Sequence, residues 1–387
     1  MLNTPRLILI IKISPLNVIL IVGGGPAGCL CAIELGKNYD VLLVEEHQSA
    51  GYPVQCAGLI SKDCYNFIRS FSKCKLNDIR GAYVFSPNGE YVEPEGKSKG
   101  VVIERKILDR DLMARASEYA QISVKTKFIG ISNSNAILVR NGEKIKVKFK
   151  YIIGADGPYS TVARCFGFER PQILSAIQVE CKFEAFCEDM VELYFGNKYS
   201  KGFFAYAIPI DNSIARVGVI SKENPLTYLK NLVNKHPSVS KRINLNKIIE
   251  LNAGAIPIGL VDFVKGNVAL IGDAAGMVKP YTGGGLYYLI KAVEALKKNF
   301  PDLENYRKEY LKVMGREYEV GMKIFKLYSM LTDEDYNYLV TIAKDLKDYA
   351  KELHMDSPTT LFKVLPIVMR VVKRPRLIKK FLSAFAF

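Results

Sequence analysis

Four aliphatic runs stand out along the chain: Asn17–Val22 (NVILIV), Asp40–Val44 (DVLLV), Tyr151–Ile153 and Val268–Ile271. None alternates with polar residues, so each predicts a strand covered on both faces, as in a parallel sheet. Between the first two, Pro26 to Lys37 reads as a helix, with the proline in the first turn where its missing N–H costs nothing. Strand, helix and strand together make a βαβ opening of about 30 residues. From Arg80 the pattern changes. Residues 81–93 alternate around Asn88-Gly89 and residues 136–149 around Asn141-Gly142, both hairpin signals. Arg105 to Tyr119 between them has helical spacing, residues 173–220 form a second β-rich block, and a helix is expected from about Gly285 to Lys298. Beyond Pro301 the chain is helical and charged. Parallel-sheet strands at both ends thus bracket a large antiparallel insertion, which a simple βαβαβ dehydrogenase lacks.

With 387 residues, 49% apolar and 24% charged, the composition is globular and long enough for two or three subdomains. It excludes a disordered, collagen-like or coiled-coil chain. The net charge of +15 favours an anionic partner; no nucleic-acid motif accompanies it, so none is expected to bind. Three histidines make a histidine-rich metal centre untenable, and no metal is expected. The eight cysteines contain no Cys-x-x-Cys pair, which argues against zinc knuckles, and a chain this long needs no disulfide framework. A reducing, cytoplasmic compartment follows as an expectation. No run of 18 uncharged apolar residues predicts a transmembrane helix, and residues 1–16, broken by Lys12, read as a ragged extension.

Chemistry concentrates in glycine-rich loops. Gly23-Gly24-Gly25-Pro26-Ala27-Gly28 fits G-x-G-x-x-G between a strand and a helix, where free N–H groups and the helix dipole favour a pyrophosphate. Glu45 closes the next strand and can accept hydrogen bonds from an adenosine ribose; its charge argues against a 2′-phosphate. Gly272-Asp273-Ala274-Ala275-Gly276 follows the strand at 268–271, and its carboxylate suits a polyol hydroxyl or, alternatively, a helix N-cap. Gly283-Gly284-Gly285 then opens a helix whose N–H groups can meet a developing negative charge.

These loops, with Gly154-Ala155-Asp156-Gly157, make the chain resemble flavoproteins of the para-hydroxybenzoate hydroxylase type, and within them the geranylgeranyl reductase family. The further marks are Pro53-Val54-Gln55-Cys56-Ala57-Gly58, Glu104-Arg105 with Leu108-Asp109, and Phe204-x-Tyr206-x-Ile208-Pro209 followed by Val217-Gly218. The likeness covers roughly residues 17–300. It implies a mixed α/β fold: a Rossmann-like FAD-binding domain in three parts (17–80, 101–170 and 259–300), with a hairpin insertion (81–100), an antiparallel-sheet substrate domain (171–258) and a helical C-terminal region (301–387). It implies FAD held by Gly23, Gly25, Pro26, Ala27, Gly28, Glu45, Glu46, Cys56, Ala57, Gly58, Arg105, Phe128, Asp156, Asp273, Gly284, Gly285 and Leu286. Phe128 would use its backbone, towards adenine. Phe204, Tyr206 and Pro209 would line the substrate channel, although Tyr206 replaces the family's usual tryptophan and Ile208 its last aromatic, a departure that bears on substrate identity.

Cys56 is the implied catalytic residue, able to donate a proton or position an alkene; a small buried hydrophobe is the plainer role for a free cysteine. Arg105 has a plain reading too, as a solvated arginine at a helix start. The activity implied is FAD-dependent hydrogenation of isoprenoid double bonds in a membrane lipid or prenyl precursor, with NAD(P)H or a ferredoxin-like carrier as electron donor. An aromatic or quinone-precursor monooxygenase and a non-catalytic flavoprotein are the alternatives. From Lys351 onward eight Lys/Arg face two acids, interleaved with Leu377, Ile378, Phe381, Leu382, Phe385 and Phe387. Such a basic amphipathic helix suits peripheral contact with an anionic membrane, or packing of one face on the protein.

Overall fold

The computed structural model describes residues 18–52, 56–94 and 99–385. Asn17, Phe387, the 1–16 extension and the Pro53-Val54-Gln55 stretch lie outside them. The aliphatic runs form one six-stranded sheet in the order Val264–Lys265, Val268–Leu270, Tyr151–Gly154, Ile19–Val22, Val41–Val44, Gln121–Ser123. All its pairings are parallel except that of the short edge strand Val264–Lys265. Ile19–Val22 and Val41–Val44 are buried along their whole length because helices cover the sheet. Pro26–Leu35 and Leu286–Asn299 are two of those helices, and they contribute Cys29, Cys31, Leu30, Tyr288 and Leu289 to the same core.

The second sheet has seven strands, from Ile243–Ile258 at one edge through Gln172–Phe183, Ile214–Ser221, Phe204–Pro209, Met190–Phe195 and Gly81–Phe85 to Tyr91–Val92 at the other. Both expected hairpins are present: Gly81–Phe85 turns back through Asn88-Gly89, and Asn135–Arg140 through Asn141-Gly142 onto Glu143–Lys148. The first hairpin is no isolated insertion. Gly81–Phe85 runs parallel to Met190–Phe195 and extends the second sheet.

One face of this sheet packs under the helix Pro225–Lys235. The other face meets the 28-residue helix Leu303–Met330 through Phe325, Met322 and Tyr328, with the Phe325 and Tyr328 rings against Phe203. The C-terminal helix Pro375–Phe385 buries Leu377, Phe381 and Phe385 against Leu327, Leu331 and Tyr336. Leu377, Phe381 and Phe385 are therefore turned inward onto the protein, the packing arrangement that is one of the two expectations for this segment, while Leu382 stays 60% exposed. Lys380 adds an ion pair to Asp335, the residue that completes a capping box with Thr332. Among the described residues no helix is long and apolar enough to cross a membrane, and none of their acidic, cysteine or histidine side chains group to hold a metal ion.

Candidate active site

Three loops of the parallel sheet meet at one end of it, where the strands deliver their C-termini. Gly23 adopts φ +104°, and a Cβ there would lie 2.3 Å from the Ala155 carbonyl oxygen; one at Gly28 would lie 1.8 Å from the carbonyl oxygen of Gly23. These two glycines therefore let strand, helix and the 154–157 loop pack against one another. Gly25 differs: no atom lies within 4 Å of its would-be Cβ, and it borders a cavity. The helix Pro26–Leu35 begins there without a side-chain cap, as does Leu286–Asn299 at Gly285, so both leave backbone N–H groups facing that space.

The cavity has a volume of about 710 Å³. Its dinucleotide-side wall is Gly25, Pro26, Ala27, Cys56–Gly58, Arg105, Gly157, Gly272, Asp273 and Gly283–Leu286. Asp273 belongs to a single 3-10 turn, Gly272–Ala275, but no described residue donates a hydrogen bond to its carboxyl. Burial pushes that carboxyl up to about 6, with Arg105 pulling weakly the other way. Arg105 grips Asp109 through two bonds of 2.8 and 2.9 Å and also reaches the Cys56 sulfur. Burial opposes its charge, and these partners outweigh burial and hold the guanidinium protonated. An open glycine cradle, two uncapped helix starts, a partly buried cation and a carboxyl without a donor fit the pyrophosphate and polyol of FAD.

The opposite wall is the second sheet: Val191, Leu193, Phe204, Tyr206, Ile208 and Ile220, with residues 252–257 of the edge strand. Gly218 makes room for the Tyr206 ring, since a Cβ there would sit 2.5 Å from it. The Tyr206 hydroxyl, kept protonated by burial, donates to Gln178 Oε1 at 2.9 Å, and Gln178 Nε2 donates to the Cys56 carbonyl at 3.2 Å. Arg216 binds the Ala57 and Ile103 carbonyls (3.1 and 3.0 Å) and pairs with Glu104 and Glu180 (2.7 and 3.0 Å). Two polar side chains of the sheet thus fix the Cys56 loop. The Cys56 sulfur accepts a bond from the Gly58 N–H at 3.4 Å. The cavity's third side comes from Leu353–Asp356 and Leu361, tied down where Lys279 meets Asp356 at 2.7 Å and Tyr281 donates to the Met355 carbonyl at 2.8 Å.

Other expected site residues stand apart from the cavity. Glu45 is buried beside the glycine loop, accepting from Gly24 N–H at 2.6 Å and His47 N–H at 2.8 Å and meeting the His47 ring Nδ1 at 2.7 Å, with one lone pair of Oε2 to spare. Glu46 is exposed and paired with Lys127 at 2.7 Å. Asp156 turns to the helix Thr161–Cys165, where Ser160, Thr161 and Val162 donate to it at 2.6, 2.7 and 3.0 Å. The Phe128 side chain is in the core, and Pro209 ends its strand away from the cavity, its carbonyl accepting from Asn77. Gln178, Arg216, Lys279 and Asp356 carried no sequence signal.

Comparison with known proteins gives this geometry a lineage. A family model described as lycopene cyclase protein matches residues 18–307. Digeranylgeranylglycerophospholipid reductase of Methanosarcina acetivorans is 30% identical over 385 residues, covering 89% of this chain and 92% of that one. The corresponding reductase of Methanococcus vannielii is 30% identical over 388 residues, covering 94% and 97%. The chain belongs to this family of flavoprotein reductases and lycopene cyclases. An uncharacterized protein of Methanocaldococcus jannaschii is 34% identical, covering 89% and 93%. In fold, a geranylgeranyl bacteriochlorophyll reductase-like protein of Thermoplasma acidophilum superposes with a TM-score of 0.80 at 23% identity, covering 96% and 100%. A p-nitrophenol 4-monooxygenase of Pseudomonas putida shares the fold more distantly, with a TM-score of 0.64 at 15% identity, covering 94% and 98%.

Proposed function

We propose that the protein is an FAD-dependent reductase that hydrogenates double bonds in the isoprenoid chains of a membrane lipid, with digeranylgeranylglycerophospholipids as the substrate class. The observation that carries this reading is the continuity of one cavity, from the glycine-lined dinucleotide cradle to a wall of Val191, Leu193, Phe204, Ile208 and Ile220. Reduced FAD supplies hydride when bound. The chain's own residues bind and orient: Ala27 and Gly25 border the cradle, Asp273 and Arg105 offer an acceptor and a cation, and the apolar wall excludes water from the alkene. We assign Cys56 the proton for the second alkene carbon; its position on the cavity wall, on a loop held by Gln178 and Arg216, supports this role. Electrons come from NAD(P)H or a ferredoxin-like carrier that docks transiently, and the lipid substrate implies a peripheral membrane encounter. The test is anaerobic: reduce the holoprotein with dithionite, add geranylgeranylated lipid, and follow the flavin band and product mass. Reoxidation with a gain of about two mass units per double bond, the two added hydrogens, is expected. Reduced flavin that ignores the lipid but reacts with oxygen and hydroxylates a ring would overturn the proposal.

A further inference from the structure

The edge strand Ile243–Ile258 changes character along its length. Residues 252–257 line the cavity, whereas Leu245, Ile248, Ile249 and Leu251 stand 39, 44, 59 and 57% exposed. The neighbouring strand pairs Cys181 with Ile248 and then Lys182 with Asn244, so Leu245–Lys247 loop out of the ladder as a bulge. Beside them Tyr52 is 61% exposed, with Lys106 over its ring at 5.5 Å and bonded to Glu250 at 2.8 Å. Lys182, Lys241 and Lys247 are exposed and have no ion-pair partner among the described residues.

Apolar side chains at this exposure are ordinary when scattered, but four in seven residues on a bulged edge mark a contact surface. A tyrosine and free lysines flanking them match the layered chemistry of a lipid headgroup region. The flanking lysines favour an anionic surface as the occupant, and the strand that carries the patch goes on to line the cavity with residues 252–257.

We infer that the bulged edge strand, residues 245–251 with Tyr52, is the face that docks on an anionic lipid bilayer and passes the chain to the cavity. This rests on the reductase reading and moves the membrane contact from the C-terminal helix to the second sheet.

The protein has no tryptophan, so a single introduced one reports alone. Ile249→Trp is compared with Tyr91→Trp, on the sheet's opposite edge strand, in otherwise wild-type holoprotein mixed with phosphatidylcholine–phosphatidylglycerol vesicles. A blue shift confined to Ile249→Trp is expected. Co-sedimentation of an Ile249→Ser/Leu251→Ser protein should fall about tenfold, and that of a Lys241→Gln/Lys247→Gln protein should lose its dependence on phosphatidylglycerol. The double-serine variant should keep its flavin spectrum and its turnover of a short, water-soluble prenyl substrate, which separates loss of docking from failure of the reductase reading. Equal shifts at both tryptophans, no shift at either, or undiminished sedimentation of the serine variant would each overturn the inference. So would a wild-type dimer that the serine variant converts to monomers, which would give the strand to a second copy.

Discussion

Replacing Asp273 with asparagine should weaken FAD binding and stabilise the apoprotein in the same molecule. Burial raises this carboxyl from 3.8 to about 6. A folded-state value above the unfolded one means the native protein holds the proton more readily. Its stabilising contribution is therefore complete below the unfolded value and is lost as pH rises through about 6. Taken at full size the difference is about 3 kcal/mol at neutral pH. The carboxyl opens onto a cavity rather than onto packed side chains, so ~1–2 kcal/mol is expected. The neutral amide of the Asp273→Asn variant has no charge to desolvate. With an unfolding entropy of roughly 0.8 kcal/mol per kelvin for a chain of this length, the apoprotein should melt ~2 °C higher at about pH 8 and unchanged at about pH 4. Binding moves the other way, because a charge-assisted bond to a flavin hydroxyl contributes ~1.5–3 kcal/mol. Affinity for FAD should drop about tenfold to a hundredfold, and wild-type affinity should itself decline below about pH 6. Flavin fluorescence titration and thermal melts of the apoprotein across pH read both effects. A variant that binds FAD like wild type, or whose apoprotein melts lower at the higher pH, would refute the placement of a free carboxylate at the cofactor wall.

Asp356→Ala should destabilise the protein by about 3–5 kcal/mol in a chemical melt, since it strands the Lys279 ammonium, whose side chain is only 6% exposed. The Lys279→Met/Asp356→Leu pair should recover most of that loss; equal destabilisation would show that packing, not charge, holds the segment. Gly28→Ala places a methyl 1.8 Å from the Gly23 carbonyl, so purified protein should lose both FAD and thermal stability, and a yellow, wild-type-like product would contradict the close helix–strand contact. Cys56→Ala should keep FAD and its reduction by dithionite but turn over prenyl lipid roughly a hundredfold more slowly, the scale of a lost general acid. Unchanged turnover would leave the thiol a packing role.

The glycine loops were legible because their rule is local: a tight turn after an aliphatic strand, then a helix start, is specified by consecutive residues. Asp156 shows the limit of that legibility. Its motif reads as cofactor-binding, yet its carboxyl is taken up by three donors of the helix that follows, an outcome that depends on where the chain turns after Gly157. Lys279 with Asp356, and Tyr206 with Gln178, are separated by 77 and 28 residues. A polar pair brought together only by folding has no period or spacing to betray it.

Amphipathic pattern left its two alternatives open for a different reason. The C-terminal helix interleaves lysines and an arginine with large apolar residues, whereas the 245–251 strand sets the single Lys247 among four of them, so the helix has the stronger membrane-like pattern. Pattern states that an apolar face must be covered and says nothing of what covers it. For the helix the cover is Leu327, Leu331 and Tyr336 of its own chain. For the strand, Ile249 and Leu251 remain uncovered beside a cavity whose other end is a dinucleotide cradle. A substrate that is itself part of a bilayer needs an apolar path between membrane and flavin. The proposed route follows the edge strand, whose residues from Asn252 onward line the cavity.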